Sequence, residues 1–166
     1  MQTFLPYPSF IESARCLDNR RLGKQRVEAY QISQAIRGKY GERGAWTNHP
    51  ATNMWRNYEP ALLLYGQTIC EEWRKRGFQD NMLDYFLDTT AEVINPWWMG
   101  FQPLHLSHRS NLMRKDPAWY SVEFKHFLPP NDLPYLWPKL INGVQQYQVG
   151  ANAKQFFHII NNQPEW

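Results

Sequence analysis

The residues best suited to chemistry in this 166-residue chain are three polar side chains on the apolar face of a predicted helix. The segment LDNRRLGKQRVEAYQI covers residues 17–32, and at about 100° per residue its Ala, Leu and Ile side chains gather on one arc. Arg21, Gln25 and Glu28 fall inside that arc. Because burying an ionised carboxylate without partners costs several kcal/mol, Glu28 must either be paired or face a cleft.

Two interpretations of this polar stripe stay open. In the first, Arg21 and Glu28 satisfy each other and nearby carbonyl groups in an internal network. In the second, Arg21 keeps Glu28 ionised at the base of a pocket, and Gln25 helps to orient it. A carboxylate in such a pocket stabilises a developing cation or accepts a proton.

Basic residues surround this helix and recur in a second one. The later segment SHRSNLMRKDPAWY carries a basic helix followed by Trp119 and Tyr120. Cations beside exposed rings suit distorted or single-stranded nucleic acid, although core packing of both rings is the alternative. Cations can hold phosphates without reading bases. The predicted phosphate contacts are Arg20, Lys24, Arg26, His108, Arg109, Arg114 and Lys115.

His49 precedes Pro50, and Trp55 follows at helical spacing. These residues predict either a pocket wall that stacks on a base or a capping histidine with an aromatic core stripe. His105 and His108 can share a helix face, but no third ligand has a clear spacing, so no metal site is expected. The sequence also lacks a Gly-rich phosphate loop, and we expect no cofactor.

The formal net charge is +3, and it is unevenly distributed, with a basic first third of the chain. That asymmetry favours an anionic partner, although a solvated helix face would produce the same pattern. No apolar run approaches the roughly 20 residues of a membrane-spanning helix, and the N-terminal sequence does not resemble a secretory signal. Cys16 and Cys70 read as buried thiols. These features predict a cytoplasmic protein.

The elements that position these residues are predicted to be helices. Ser9 and Glu12 form a capping box for a helix that runs to residue 37, where Gly38 ends it. Further helices are predicted from Pro50, through ALLLYGQTICEEWRKRG, over residues 80–88, and through LHLSHRSNLMRKD. No alternating strand precedes residue 120. The predicted fold is mainly α, a compact single-domain helical bundle.

The last part of the chain has a different character. Four prolines punctuate an aromatic-rich stretch after residue 120, and the tail is rich in Asn and Gln. We predict a helical domain over residues 1–120 and an irregular extension over 121–166 that packs on it. One helix is expected near residues 151–160.

The two basic segments, in this order, resemble those of the pyrimidine-dimer DNA glycosylases of the endonuclease V type. The N-terminal pattern is carried by Leu17, Leu22 and Glu28. The later pattern consists of Arg109, Lys115, Pro117, Trp119 and Tyr120. Bacterial and phage relatives share the strings LPYP, LGKQRVE, HPA…MW…YE, HRSNL and KDP.WY, so the resemblance covers about residues 4–120.

The resemblance implies an all-α fold that binds double-stranded DNA, flips out a nucleotide and excises a damaged or modified pyrimidine. In the characterised enzymes the N-terminal α-amine attacks the sugar C1′ and forms a Schiff base, which allows strand cleavage. Glu28 matches their catalytic carboxylate, with Arg21 and Gln25 beside it. His49, Trp55, Trp119 and Tyr120 would line the base pocket.

The N-terminus departs from the family pattern, because Gln2 stands where the family exposes a threonine amine. Three nucleophiles therefore stay open: the amine of Met1, the amine of Lys24, or a water molecule activated by Glu28. The last is favoured because neither amine fits the pattern. We expect a monomer in a bacterial or phage-infected cell. The competing hypothesis is a non-catalytic nucleic-acid-binding module that uses the same groove.

Overall fold

The computed structural model describes residues 1–88, 90–150, 156–160 and 163–164. By their internal contacts these residues form two units. The first unit comprises Met1–Phe4 and Ser9–Trp97, and the second comprises Leu5–Pro8 and Trp98–Trp166. The predicted division at residue 120 and the predicted single bundle stay predictions. No helix in the described part of the chain is long and apolar enough to cross a membrane.

The first unit is helical. Its helices are α1 (Phe10–Cys16), α2 (Asn19–Ile36), α3 (Pro50–Trp55), α4 (Glu59–Lys75) and α5 (Leu83–Leu87). Helix α2 packs chiefly on α4, and the core between them contains Leu22, Ile32 and Ile69. The ring of Phe86 lies so close to Gly66 that a side chain at that position would collide with it.

The predicted helix over residues 9–37 is wrong in one respect, because the structure divides it into α1 and α2. Leu17 and Asp18 have extended backbones, with ψ angles of 137° and 158°. The Asp18 carboxylate accepts a hydrogen bond from the backbone N–H of Arg21, so Asp18 is the N-cap of α2. An aspartate two residues before the basic run is a start signal that the apolar periodicity conceals.

The second unit combines two helices with a sheet. Its elements are α6 (Gln102–Lys115), α7 (Pro117–Glu123), β1 (Leu136–Ile141), β2 (Val144–Val149), β3 (Phe156–Ile160) and β4 (Gln163–Pro164). The strands form one antiparallel sheet in the order β1-β2-β3-β4. The mainly α prediction is confirmed, with five helices in the first described unit and two in the second.

The expectation of an irregular C-terminal extension is wrong for the described strands. Asn142 and Gly143 both have positive φ, at 51° and 77°, and join β1 to β2 in a two-residue hairpin. That geometry is the one that an Asn-Gly pair favours. The predicted helix near 151–160 is also wrong where it can be checked, because β3 occupies residues 156–160. Residues 151–155 lie outside the described residues.

Candidate active site

The polar stripe of α2 holds the first residues of the chain. Gln25 is completely buried, and its side-chain oxygen accepts hydrogen bonds from the Phe4 backbone N–H (2.9 Å) and the Tyr65 hydroxyl (2.7 Å). Its Nε2 donates to the Gln2 carbonyl oxygen (2.9 Å) and to Glu28 Oε2 (3.0 Å). Gln25 is therefore a fully satisfied core amide that fixes residues 2–4 against α2.

Glu28 uses its two carboxylate oxygens differently. Oε2 accepts hydrogen bonds from the Gln2 backbone N–H (3.0 Å) and from Gln25. Oε1 lies 3.5 Å from Lys24 Nζ, one helical turn away. The whole Glu28 residue is 6% exposed, whereas the Lys24 side chain is 71% exposed. The carboxylate is thus enclosed on the Oε2 side and covered on the Oε1 side by a solvated lysine.

Arg21 makes a different ion pair from the one that the internal-network interpretation supposes. Its guanidinium lies 2.8 Å from the Asp18 carboxylate at the start of α2. Lys24 is the cation that the structure pairs with Glu28. Arg21 therefore supports the N-cap of the helix, and the predicted catalytic role of Arg21 stays a prediction.

The α-amine of Met1 lies close to the Glu28 carboxylate. The Gln2 nitrogen is 3.0 Å from Oε2, and one residue of covalent chain separates that nitrogen from the α-amine. The amine is therefore within about 7 Å of Oε2. An amine, a lysine and a carboxylate thus occupy one small region of the first unit, where attack on a sugar carbon is chemically feasible.

His49 lies in the same region. Its Nδ1 accepts a hydrogen bond from the Ala51 backbone N–H (3.1 Å), so the imidazole is the N-cap of α3. Burial lowers the pKa of His49, the N-terminal ammonium lowers it further, and Glu28 raises it. The imidazole is therefore neutral near pH 7 and carries its proton on Nε2. The capping interpretation of His49 agrees with the structure, and a contact with a base stays a prediction.

The side chains beneath the first residues are aromatic. The indole nitrogen of Trp55 donates to the Thr3 hydroxyl (3.0 Å), and the Tyr65 hydroxyl donates to the Phe4 carbonyl oxygen (3.0 Å). Both rings are completely buried. The aromatic-core interpretation of Trp55 agrees with the structure, and a contact with a base stays a prediction.

The comparisons with known proteins decide the family. The family model described as pyrimidine dimer DNA glycosylase matches residues 1–86, which is more than half of the chain. The protein belongs to this family. The family description supports a DNA glycosylase in DNA repair, and hence a protein that binds DNA. No curated protein and no solved structure gives a significant match.

The region matched by the family contains Glu28 and every group described around it. It also contains three of the predicted phosphate contacts. Arg20 and Lys24 are exposed on α2. Arg26 instead pairs with Asp80, lies 4.6 Å above the ring of Trp73, and has a side chain that is only 15% exposed. The phosphate prediction for Arg26 does not fit this arrangement, in which the guanidinium has a structural role.

The second unit contains the remaining predicted contacts. His108 is completely buried, and its Nδ1 accepts the Leu5 backbone N–H (2.9 Å), so the structure gives it a structural role and its phosphate contact stays a prediction. Arg109 donates to the Pro6 carbonyl oxygen (2.6 Å) and lies over the Tyr7 ring. Histidine and arginine on α6 therefore fasten the segment Leu5–Pro8 within this unit.

The last predicted contacts lie at the end of α6 and in α7. Arg114 and Lys115 are both exposed, and Arg114 donates to the carbonyl oxygens of Asn131 and Leu133. Trp119 is 38% exposed and can still meet a ligand. Tyr120 is completely buried and stacks on Phe124 at 5.5 Å, which agrees with the core-packing alternative, and its base contact stays a prediction.

Three residues that carry this site escaped the sequence analysis. Gln2, Thr3 and Tyr65 engage α2 and α3 through hydrogen bonds that span 26, 52 and 40 residues. Periodicity reports only contacts within one element, so it could not reveal them. In the described residues no group of three or more His, Cys, Asp or Glu side chains is placed to hold a metal ion.

Proposed function

We propose that the protein is a DNA glycosylase that excises a damaged or modified pyrimidine from double-stranded DNA, with Glu28 as the catalytic carboxylate. The observation that carries the proposal is the 3.0 Å hydrogen bond from the Gln2 backbone N–H to Glu28 Oε2. It brings the start of the chain to a carboxylate within the part that the family model matches. A nucleotide flipped out of the duplex would offer its C1′ to this region.

The proposed nucleophile is the α-amine of Met1. Its unprotonated nitrogen attacks C1′ while the glycosidic bond breaks, and the base leaves with the bonding electrons and takes up a proton. Glu28 stabilises the positive charge that develops on the sugar. Loss of the amine proton and opening of the sugar ring then give a Schiff base, which water hydrolyses or from which the 3′ phosphate is eliminated.

The second available amine is that of Lys24, 3.5 Å from Oε1. The α-amine is proposed in preference because the adjacent Gln2 N–H bonds Glu28 Oε2 directly. In the proposed complex Lys24 swings away from Oε1, which admits the sugar on the exposed side of the carboxylate. Lys24 and Arg20 then hold the flanking phosphates.

Borohydride reduction tests this mechanism directly. The protein is incubated with a duplex that contains a thymine photodimer and treated with sodium borohydride, and the adduct is digested and sequenced by mass spectrometry. We expect a covalent adduct on the first residue of the chain. An adduct on Lys24 would identify the Lys24 amine as the nucleophile. Cleavage of the glycosidic bond without any adduct would establish a water nucleophile instead.

The second candidate function is a non-catalytic DNA-binding module. The observation that favours it is the 6% exposure of Glu28, since anchoring of residues 2–4 already accounts for a buried carboxylate. This alternative predicts that the unmodified protein binds DNA but releases no base from any member of a panel of altered pyrimidines. Release from one member of the panel would exclude it.

A further inference from the structure

The loop that joins α2 to α3 carries an exposed tryptophan on a fixed backbone. Trp46 is 36% exposed. Its carbonyl oxygen accepts hydrogen bonds from the Thr52 hydroxyl (2.8 Å) and from the His49 backbone N–H (3.3 Å). One residue further on, the Thr47 hydroxyl donates to the Gly41 carbonyl oxygen (2.7 Å). The indole therefore remains in contact with solvent although hydrogen bonds hold the chain on both sides of it.

The same loop is packed tightly enough to restrict its conformation. A Cβ atom at Gly44 would collide with the backbone of Tyr40, and the Asn48 side chain donates to the Glu42 carbonyl oxygen (3.2 Å). Single exposed apolar side chains are common on protein surfaces, so exposure alone does not indicate a binding site. What surrounds Trp46 decides whether its ring has a ligand.

Trp46 adjoins the region of the proposed catalytic carboxylate. The centroids of the Trp46 and His49 rings are 5.9 Å apart. Burial lowers the pKa of His49, and the charges of the N-terminal ammonium and Glu28 also act on it. Such effects extend over about 10 Å in physiological salt. The indole is therefore within about 16 Å of Glu28.

The chain around Trp46 is basic. Residues 37–56 contain a single acidic residue, Glu42, and four exposed cations, which are Arg37, Lys39, Arg43 and Arg56. Arg37 pairs with Glu59 (2.6 Å), but the segment as a whole keeps its positive charge. An exposed ring among cations matches a ligand that combines flat bases with phosphates. Nucleic acid is therefore the partner that this surface fits.

We propose that Trp46 stacks on a base of the bound duplex that the damage has separated from its neighbour, an inference that rests on DNA binding beside Glu28 as in the proposed function. Bases rise about 3.4 Å each along a strand, so the distance from Glu28 to Trp46 spans about five of them. In an intact duplex both faces of every base are covered, and a ring finds a free face only where the stack opens. Trp46 thus favours distorted DNA over intact DNA.

The substitutions Trp46→Leu and Trp46→Phe test this role, because leucine keeps an apolar side chain without a ring and phenylalanine restores a ring. One probe is a duplex with a tetrahydrofuran abasic analogue, which opens the stack and has no base to release. The other is the intact duplex of the same sequence. Fluorescence anisotropy gives Kd for both, and thermal unfolding gives Tm.

We expect Trp46→Leu to raise Kd for the abasic duplex by about 5- to 100-fold and for the intact duplex by less than about twofold, at unchanged Tm. Trp46→Phe should recover most of the lost affinity. The slope of log Kd against log salt concentration should stay that of wild type, because the indole carries no charge. A Kd of Trp46→Leu within twofold of wild type on the abasic duplex would overturn the inference, as would equal losses on both duplexes.

Phe78→Leu is the matched control. Phe78 is 37% exposed and belongs to the same unit, but its ring is stacked on Trp73 at 4.1 Å. The control should bind both duplexes as wild type does. A loss on the abasic duplex equal to that of Trp46→Leu would show that the effect is not particular to Trp46 and would overturn the inference.

Photochemical crosslinking supplies an independent measurement of the contact. Abasic duplexes carry 5-iodouracil at successive positions around the analogue, and ultraviolet light joins this base to an aromatic ring that lies against it. Mass spectrometry should locate a crosslink on Trp46 from at least one position, and its absence from all positions would contradict the inference. Crosslinking and binding as expected, but without base excision from any damaged duplex, would uphold the role of Trp46 and overturn only the proposed glycosylase function.

Discussion

Glu28 joins an anchoring role to the proposed catalytic one through separate oxygens. Oε2 fixes the Gln2 backbone, while Oε1 faces a lysine that is mostly in solvent. A side chain held in this way is pre-organised, since its orientation is set before any substrate arrives. Gln25 and Glu28 in the polar stripe of α2 are therefore explained by their hydrogen bonds to residues 2–4.

The substitution Glu28→Gln separates anchoring from catalysis. The amide oxygen can still accept the Gln2 N–H, but it cannot stabilise a cationic sugar as a carboxylate does. We expect a loss of base release of about 10²- to 10⁴-fold with DNA affinity largely retained, measured by single-turnover kinetics and by binding titration.

Glu59→Gln is the matched control for this prediction. Glu59 is likewise a partly buried carboxylate in the first unit, bonded to Ser33 (2.7 Å) and Arg37 (2.6 Å). It has no assigned part in the chemistry, so its variant should excise bases at the wild-type rate. Equal activity of Glu28→Gln and wild type would remove Glu28 from the mechanism.

At the scale of single residues, the sequence identified polar side chains in buried positions but not the groups that bond to them. The apolar arc correctly singled out Gln25 and Glu28 as polar groups in a buried position. Their backbone partners lie in residues 2–4, more than 20 positions away, and no spacing rule connects them. The same limit explains why Trp55, His108 and Tyr120 were predicted to meet DNA, because burial depends on packing between elements.

Among the elements, the start of α2 helps to align the helix face that carries Gln25 and Glu28. Asp18 ends the extended connection after α1 and caps the helix that carries Gln25 and Glu28. Removal of the Asp18 carboxylate would leave the Arg21 backbone N–H in the first turn of α2 without this acceptor. The rotation of α2 about its own axis then depends on packing alone.

We predict that Asp18→Ala lowers the free energy of unfolding by about 1 kcal/mol, the usual cost of losing an N-cap. Asp18→Asn should lose less, because the asparagine oxygen can still cap the helix. Urea denaturation of the two variants and wild type measures both effects. If Asp18→Ala were as stable as wild type, the cap would contribute nothing.

The ends of helices were predictable where a residue at the end itself marks them. Gly38 has φ of 80° just beyond the end of α2, and Pro50 opens α3, as their residue types indicate. The break at Asp18 and the Asn142–Gly143 hairpin carried local signals too, but the apolar periodicity and the prolines around them pointed elsewhere. Helix α7 follows α6 directly from Pro117, which sequence alone treated as an end.

On the scale of the whole molecule, two buried histidines make stability depend on pH. His105 Nδ1 meets the Leu5 carbonyl oxygen (2.8 Å), its Nε2 accepts the Gly100 N–H, and His108 accepts the Leu5 N–H. Burial lowers the pKa of His105 to about 4 and that of His108 to about 3. Both rings are neutral in the folded protein near pH 7.

Because the folded pKa values lie below the unfolded value of about 6.5, the unfolded chain binds more protons in acid. The stabilising contribution is complete above about pH 6.5 and is lost as the pH falls toward 4 and then 3. We predict that the free energy of unfolding, measured by urea titration, declines between pH 6.5 and 4. Each histidine contributes at most about 1.4 kcal/mol per pH unit.

The variant His126→Gln is the control for this prediction, since His126 is exposed on the surface. It should show the same pH profile as wild type, whereas His108→Gln should flatten it. A flat wild-type profile over this range would mean that the buried rings do not govern acid stability.

The placement of residues 3–5 also bears on the order of folding. Thr3 and Phe4 bond to Trp55 and Tyr65, and Leu5 bonds to His105 and His108. Contacts at such sequence separations form late, after the intervening chain has closed its loops. This short segment therefore docks after the elements that hold it have come together.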